Sequence, residues 1–279
     1  MLPRIVDGAS RVLGIVGDPI AQVRSPPLWS ALFRHNGMNA ICVPFHIFAP
    51  ALPAFVDGLR GVENLIGLLV TIPHKTAAAR IADELTPRAR KIGTSNLPRP
   101  IPDRKWEGDN LDGLGFTRAL AAAGQRIAGR RALVVGAGGV GSAIAFALAE
   151  EGAAHVAIFD VDADRAGDLS RRIETDGGVG SSVVPPKAAG FDLVVNATPL
   201  GMKPGDNMPI DLTGLAPGSL VGDVVISETP TPLLRAAQTL GCHVQPGAAT
   251  TDHQVAAMAE FLGLSGGDWS VAAIQAALA

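Results

Sequence analysis

The sequence predicts an α/β fold in two domains, on three grounds. At 279 residues the chain exceeds the usual single domain and can bury two cores. Strand-length apolar runs alternate with helical segments over most of its length, the pattern of a mainly parallel sheet covered by helices. The third ground is Ala132 to Asp160, ALVVGAGGVGSAIAFALAEEGAAHVAIFD, which reads as a strand, a glycine turn, an alanine-rich helix and a second strand ending on an acid. Gly136, Gly138 and Gly141 give the spacing G-x-G-x-x-G, with Gly139 and Val140 inside it. The first glycine permits the tight turn, the second lets backbone approach a pyrophosphate, and the third lets the helix pack closely on its strand. The phosphates then lie at the helix N-terminus, where unpaired N–H groups and the dipole favour negative charge. Asp160 follows at roughly the twenty-residue distance where an acid meets the adenosine ribose. The second domain is therefore expected to be a Rossmann-like dinucleotide-binding domain.

Arg11 to Val16 is apolar, stops at Gly17-Asp18-Pro19, and should be the first strand of an N-terminal α/β domain. Ser25-Pro26 opens a helix over 27–36, with proline in the first turn, where its missing N–H costs little. Ala40 to Val43 is a short strand that Pro44 should end or push to an edge. A helix over 52–60, a strand over 65–70 and a helix over 75–85 follow. Residues 94–97 and 105–107 look like paired strands around the turn Pro102-Asp103. A helix over 113–123 leads into the dinucleotide domain. Beyond the glycine motif come a helix over 162–174, a weak strand near 182–184 and a buried strand at 191–196. A strand over 219–225, a helix over 232–240 and a short strand at His243 and Val244 complete that domain. Residues 251–262 and 269–279 are helical and alanine-rich, and are expected to pack back onto the first domain.

Composition excludes several classes of function. A net charge of −3 and 47% hydrophobic residues offer no electrostatic case for nucleic acid or an anionic membrane. Cys42 and Cys242 sit in apolar settings; each has one histidine nearby and no further ligands, so no metal site is expected. The first residues lack a basic stretch followed by an apolar one, and no apolar run reaches the roughly 18 residues that span a bilayer. A cytoplasmic protein is the expectation.

Three short constellations fall at strand ends, where open parallel sheets bind ligands. In Val70-Thr71-Ile72-Pro73-His74-Lys75, a lysine opens a helix, although cations are disfavoured at helix N-termini. Gly108-Asp109-Asn110-Leu111-Asp112-Gly113 packs polar groups between a strand and a helix. Asn196-Ala197-Thr198-Pro199-Leu200-Gly201-Met202 is a strand end with a turn, suited to run under a nicotinamide.

These segments, with GAGGVG, the late TPLLRAAQTLG and the early GDPIAQVRSP, resemble the shikimate dehydrogenase family, in that order along nearly the whole chain. The resemblance implies a substrate domain joined to a Rossmann domain, and transfer of hydride between a nicotinamide and a shikimate- or quinate-like cyclic hydroxy acid. It places the catalytic lysine on Lys75 and its partner aspartate on Asp112. It places substrate contacts on Ser25, Thr71, Asn96 and Gln254. Cofactor contacts fall on the glycine motif, Asp160, Asn196, Thr198, Pro199, Leu200 and Met202. The chemistry is sound by itself: a lysine beside a carboxylate can take or give the hydroxyl proton while hydride moves. The domains are expected at 1–112, with 251–279 added to it, and at 113–250; a homodimer is compatible with all of this.

The chain also departs from the family pattern. Val23, Leu69, Leu111, Ile226 and Thr250-Thr251 stand where a serine, an asparagine, a threonine, a tyrosine and a Met-Leu pair are usual. Most of these changes remove hydrogen-bonding groups from the pocket, so weak turnover of shikimate itself is expected. NADP-using members carry a basic, hydroxyl-bearing motif after the second strand, whereas this chain has Asp160-Val161-Asp162-Ala163-Asp164-Arg165. The carboxylate of Asp160 would repel a 2′-phosphate, so NAD is expected over NADP. The alternative to an enzyme is a non-catalytic NAD-binding sensor on the same fold; a third reading is a dehydrogenase of similar build acting on a folate or an amino-acid-like substrate.

Overall fold

The computed structural model describes residues 6–279. They form two compact units, one running up to Leu111 and joined by Val255–Ala279, the other Asp112–Gln254.

The first unit begins with β1 (Arg11–Gly17), α1 (Ser25–His35), β2 (Ala40–His46), α2 (Leu52–Gly58), β3 (Leu65–Val70) and α3 (Lys75–Ile81). The three strands form a parallel sheet in the order β2-β1-β3. Pro44 does not end its strand, as one of the two expectations had it; it lies within β2, opposite Ile15. That strand is the sheet edge, where a residue without an N–H is tolerated.

The helix expected over 75–85 stops at Ile81, and β4 (Glu84–Leu85) replaces its last turn. Tertiary pairing overrides helix propensity here: Glu84 and Leu85 pair with Glu107 and Gly108, and the Asp83 carboxylate accepts from the Trp106 N–H at 2.7 Å. Next comes α4 (Pro87–Ile92), which the sequence reading passed over. Its signals are ordinary: the Thr86 side chain caps the Ala89 N–H, Pro87 opens the helix, and Gly93 closes it in the left-handed region. β5 (Leu97–Ile101) and β6 (Lys105–Asp109) form an antiparallel hairpin, giving a small sheet ordered β4-β6-β5. β5 starts at Leu97, the last residue of the strand expected over 94–97, because Thr94, Ser95 and Asn96 are tied up in side-chain hydrogen bonds.

The second unit contains α5 (Asp112–Ala122), β7 (Arg131–Val135), α6 (Gly139–Glu150), β8 (His155–Phe159), α7 (Ala163–Gly177), β9 (Ser181–Val183) and β10 (Leu193–Asn196). It continues with β11 (Leu220–Asp223), α8 (Pro232–Thr239) and β12 (His243–Gln245). All six strands are parallel, in the order β12-β11-β10-β7-β8-β9. The chain winds outward from β7 in both directions, so a crevice opens at the carboxyl ends of β7 and β10. The helix α9 (Gly247–Phe261) starts a turn earlier than expected and carries the chain into the first unit, where α10 (Val271–Leu278) packs on α1. Trp269 lies 5.6 Å from the Trp29 ring and 6.1 Å from Phe33, and the Asn36 side chain bonds the backbone of Asp268 in both directions.

Candidate active site

In the first unit, the candidate residues gather where β3 ends. Its last residue, Val70, donates to the Asn96 carbonyl at 2.8 Å, and Thr71 donates to the Val16 carbonyl of β1 at 3.0 Å. The turn then closes through the His74 N–H on the Thr71 carbonyl, and Lys75 opens α3. The Ser95 N–H holds the Lys75 carbonyl at 2.9 Å. His74 is fully buried, with Nε2 at 2.6 Å from the Ile47 carbonyl beyond β2. Lys75 is thus fixed at the backbone from two sides, while its side chain is only partly buried. Ser25 is the first residue of α1 and makes no capping bond there.

The polar segment at 108–113 is held by its own network. The Asp109 carboxylate accepts from the Thr86 hydroxyl at 2.6 Å, from Arg88 at 2.5 Å and from the Asn110 N–H at 2.7 Å. Asn110 reaches the Thr94 hydroxyl, and the Asn96 side-chain oxygen accepts the Leu111 N–H at 3.0 Å. Asn96 therefore fixes the residue immediately before Asp112 as well as the end of β3. Thr86 and Arg88, which support Asp109, lie outside the polar segments found in the sequence; their i, i+2 spacing around a helix start was the only trace of that role. Asp112 and Gln254 fall in the second unit. Gln254 is buried, and its Oε1 has no hydrogen-bond partner among the described residues. Of the departures from the family pattern, Leu69 and Leu111 are core residues, whereas Ile226 is exposed.

The second unit's crevice fits a dinucleotide. A side chain on Gly141 would strike the Gly136 carbonyl at 1.7 Å, so this glycine is what lets α6 start against the turn. Gly136, at φ 105°, lies against Ala197, which closes the base of the crevice. Around Gly138 the space is open, and no side chain caps α6, whose first residues include Gly139 and Val140. The N–H groups at that helix start can therefore meet a pyrophosphate.

Asp160 lies at the β8 end of the crevice. Its Oδ2 accepts from the Ala137 N–H at 2.7 Å and its Oδ1 from the Asp162 N–H at 2.9 Å, with Arg165 3.8 Å away. At the opposite end, Asn196 and Thr198 are bonded to each other: the Asn196 oxygen accepts from the Thr198 N–H at 3.0 Å and hydroxyl at 2.7 Å. Leu200 and Met202 are exposed beside Pro199. Among the described residues no group of three histidines, cysteines or acids is placed to hold a metal, and no helix is long and apolar enough to cross a membrane.

A parallel six-stranded nucleotide unit, in one chain with an α/β unit that presents a lysine after a strand end, defines a nicotinamide-dependent oxidoreductase of two-domain build. Residues 15–97 match the family model for the shikimate dehydrogenase substrate binding domain. The chain is 37% identical over 267 residues to shikimate dehydrogenase (NADP(+)) of Symbiobacterium thermophilum, covering 91% of this chain and 89% of that one. It is 38% identical to the same-named protein of Gluconobacter oxydans, covering 91% and 90%. Among solved structures, shikimate 5-dehydrogenase from Listeria monocytogenes, in complex with shikimate and NAD, superposes with a TM-score of 0.87 at 27% identity, covering 99% of this chain and 98% of that one. The chain belongs to the shikimate dehydrogenase family.

The comparisons correct the expectation of NAD over NADP. The relatives at 37% and 38% identity are both NADP(+) enzymes, although the Listeria structure holds NAD. The structure supplies the physical reason. The Asp160 carboxylate has both oxygens committed to backbone N–H groups and Arg165 nearby, so its charge is partly offset and turned inward. The sequence showed the acid but not where its oxygens point.

Proposed function

We propose that this chain interconverts the secondary alcohol and ketone of a shikimate- or quinate-like cyclic hydroxy acid, with NADP(H) as its cofactor. The observation that carries the reading is the placement of Lys75 at the carboxyl end of β3, with its backbone fixed by Ser95 and preceded by the buried His74. When bound, the nicotinamide supplies or accepts the hydride. Lys75 moves the proton at the substrate oxygen, with Asp112 as the carboxylate that partners it. Ser25 and Thr71 offer hydroxyls and Asn96 an amide, groups suited to the carboxylate and ring hydroxyls of such an acid. The unpartnered Oε1 of Gln254 is an acceptor for one of those hydroxyls. The first residues of α6 take the pyrophosphate, and Arg165 is placed to meet a 2′-phosphate. Two free, buried cysteines accord with a reducing compartment, and we place the protein in the cytoplasm.

The test is Lys75→Ala. General acid–base groups contribute about 10²–10⁴-fold, and kcat with shikimate or quinate should fall by that much while NADP+ affinity holds. A Lys75→Ala enzyme with near-normal kcat would remove the lysine from the chemistry.

A further inference from the structure

We propose that Asp223 positions the nicotinamide half of the cofactor, acting through Asn196 and Thr231; this rests on the function proposed above. The placement follows from the fold. The pyrophosphate belongs at the start of α6 and the adenosine on the β8 side, where Asp160 and Arg165 lie. The other half of the dinucleotide must then extend over the carboxyl ends of β10 and β11.

Asn196 is the last residue of β10 and Asp223 the last of β11, and they sit opposite each other in register. Both are buried. Asp223 Oδ1 accepts from Asn196 Nδ2 and from the Val225 N–H, each at 3.0 Å, and Oδ2 accepts from the Thr231 hydroxyl at 2.6 Å. Asn196 Nδ2 also donates to the Leu200 carbonyl at 3.0 Å, while its oxygen receives the N–H and hydroxyl of Thr198. The Thr198 hydroxyl in turn accepts the Leu200 N–H at 3.1 Å, and Thr231 caps α8. One carboxylate therefore ties together the loop leaving β10, the loop leaving β11 and the start of the next helix. These are the loops that present Leu200, Met202 and Ile226, apolar and exposed, a surface on which a flat ring can lie.

The chemistry argues for a functional constraint. The donors to Asp223 are all neutral N–H and O–H groups, and burial pushes its carboxyl above the ordinary carboxylate range. A buried carboxylate is costly even when hydrogen-bonded, and a scaffold could be built from neutral or apolar groups. A carboxylate oxygen differs from an amide in accepting from every side, which lets three separate donors converge on two atoms. Asn196 and Thr198, whose hydrogen-bonding groups are turned on each other and on Asp223, hold the loop for the cofactor.

The experiment separates the two halves of the cofactor. Binding of NADP+ and of adenosine 2′,5′-bisphosphate is measured by calorimetry, without substrate, for the unaltered chain and for Asp223→Asn. The expected result is an NADP+ Kd about tenfold weaker, the size of one lost charged hydrogen bond, with the bisphosphate Kd unchanged within about twofold. Equal weakening of both ligands would make Asp223 a general scaffold residue and overturn the proposal; so would no change in either. Should Asp223→Asn fail to fold, Thr198→Val breaks the same network at the loop and is expected to give the same split. The double variant Asn196→Asp/Asp223→Asn, which exchanges the two groups, should recover part of the NADP+ affinity. Absence of NADP+ binding by the unaltered chain would overturn the functional reading, and this proposal with it, before any variant is compared.

Discussion

The Arg165 guanidinium lies 3.3 Å from Asp162 and 3.8 Å from Asp160, near the start of α7. The sequence Asp-Val-Asp-Ala-Asp-Arg looks hostile to a phosphate, since three acids precede one base. In the structure the first acid is pinned to the glycine turn, and the second caps α7 by accepting the Arg165 N–H at 3.1 Å. The guanidinium is half-exposed and 3.3 Å from Asp162, so a dianionic phosphate can compete for it. Arg165→Ala should lower kcat/KM with NADP+ by about tenfold, the order of one charged hydrogen-bonding group, and leave kcat/KM with NAD nearly unchanged. Initial-rate kinetics with both cofactors check this, and an equal loss with each would show that the guanidinium does not read the phosphate. The glycine turn at Gly136, Gly138 and Gly141 was legible because residue type and spacing suffice there. The direction of a short acid's oxygens is set by the backbone N–H groups around it, which no spacing rule records.

Among the elements, the long apolar strands and the strand–turn–helix units were read nearly to their ends, because burial on both faces leaves an unbroken apolar run. The misreadings cluster between 81 and 97, where short segments answer to partners far along the chain: β4 exists because β6 lies beside it. The β5–β6 hairpin shows the same dependence in its turn. Asp103 and Arg104, the last two of the three residues joining the paired Ile101 and Lys105, adopt φ values of 62° and 56°, in the left-handed region. Neither is a glycine, and a side chain in that region costs roughly 1–2 kcal/mol. What holds Arg104 is its carbonyl, which accepts from the Arg60 guanidinium at 2.7 Å. Arg104→Gly keeps that acceptor and removes the strain, offset by glycine's greater freedom when unfolded, so stability should rise by about 0.5–1 kcal/mol. A urea midpoint lower than that of the unaltered protein would contradict this.

At the level of the whole molecule, sheet order was the part least visible in sequence, since β7 and β10 become neighbours although two helices and two strands lie between them in the chain. The division into units has a direct spectroscopic correlate. The three tryptophans, Trp29, Trp106 and Trp269, all lie in the first unit, and none lies in Asp112–Gln254. Tryptophan emission should report unfolding of the first unit alone, while far-UV circular dichroism reports both. Saturating NADP+ should raise the dichroism midpoint more than the emission midpoint, because binding stabilises the unit that holds it. Equal shifts would mean that the two units unfold as one. The split of the first unit also sets an order of events during synthesis. Trp269 and α10, which cover Trp29 and Phe33 on α1, emerge from the ribosome only after the entire nucleotide unit has been made. The part of that unit made before the nucleotide unit is thus completed only after it, and its aromatic face waits uncovered for the length of the intervening chain. A chaperone that shields exposed apolar surface would find its natural client there.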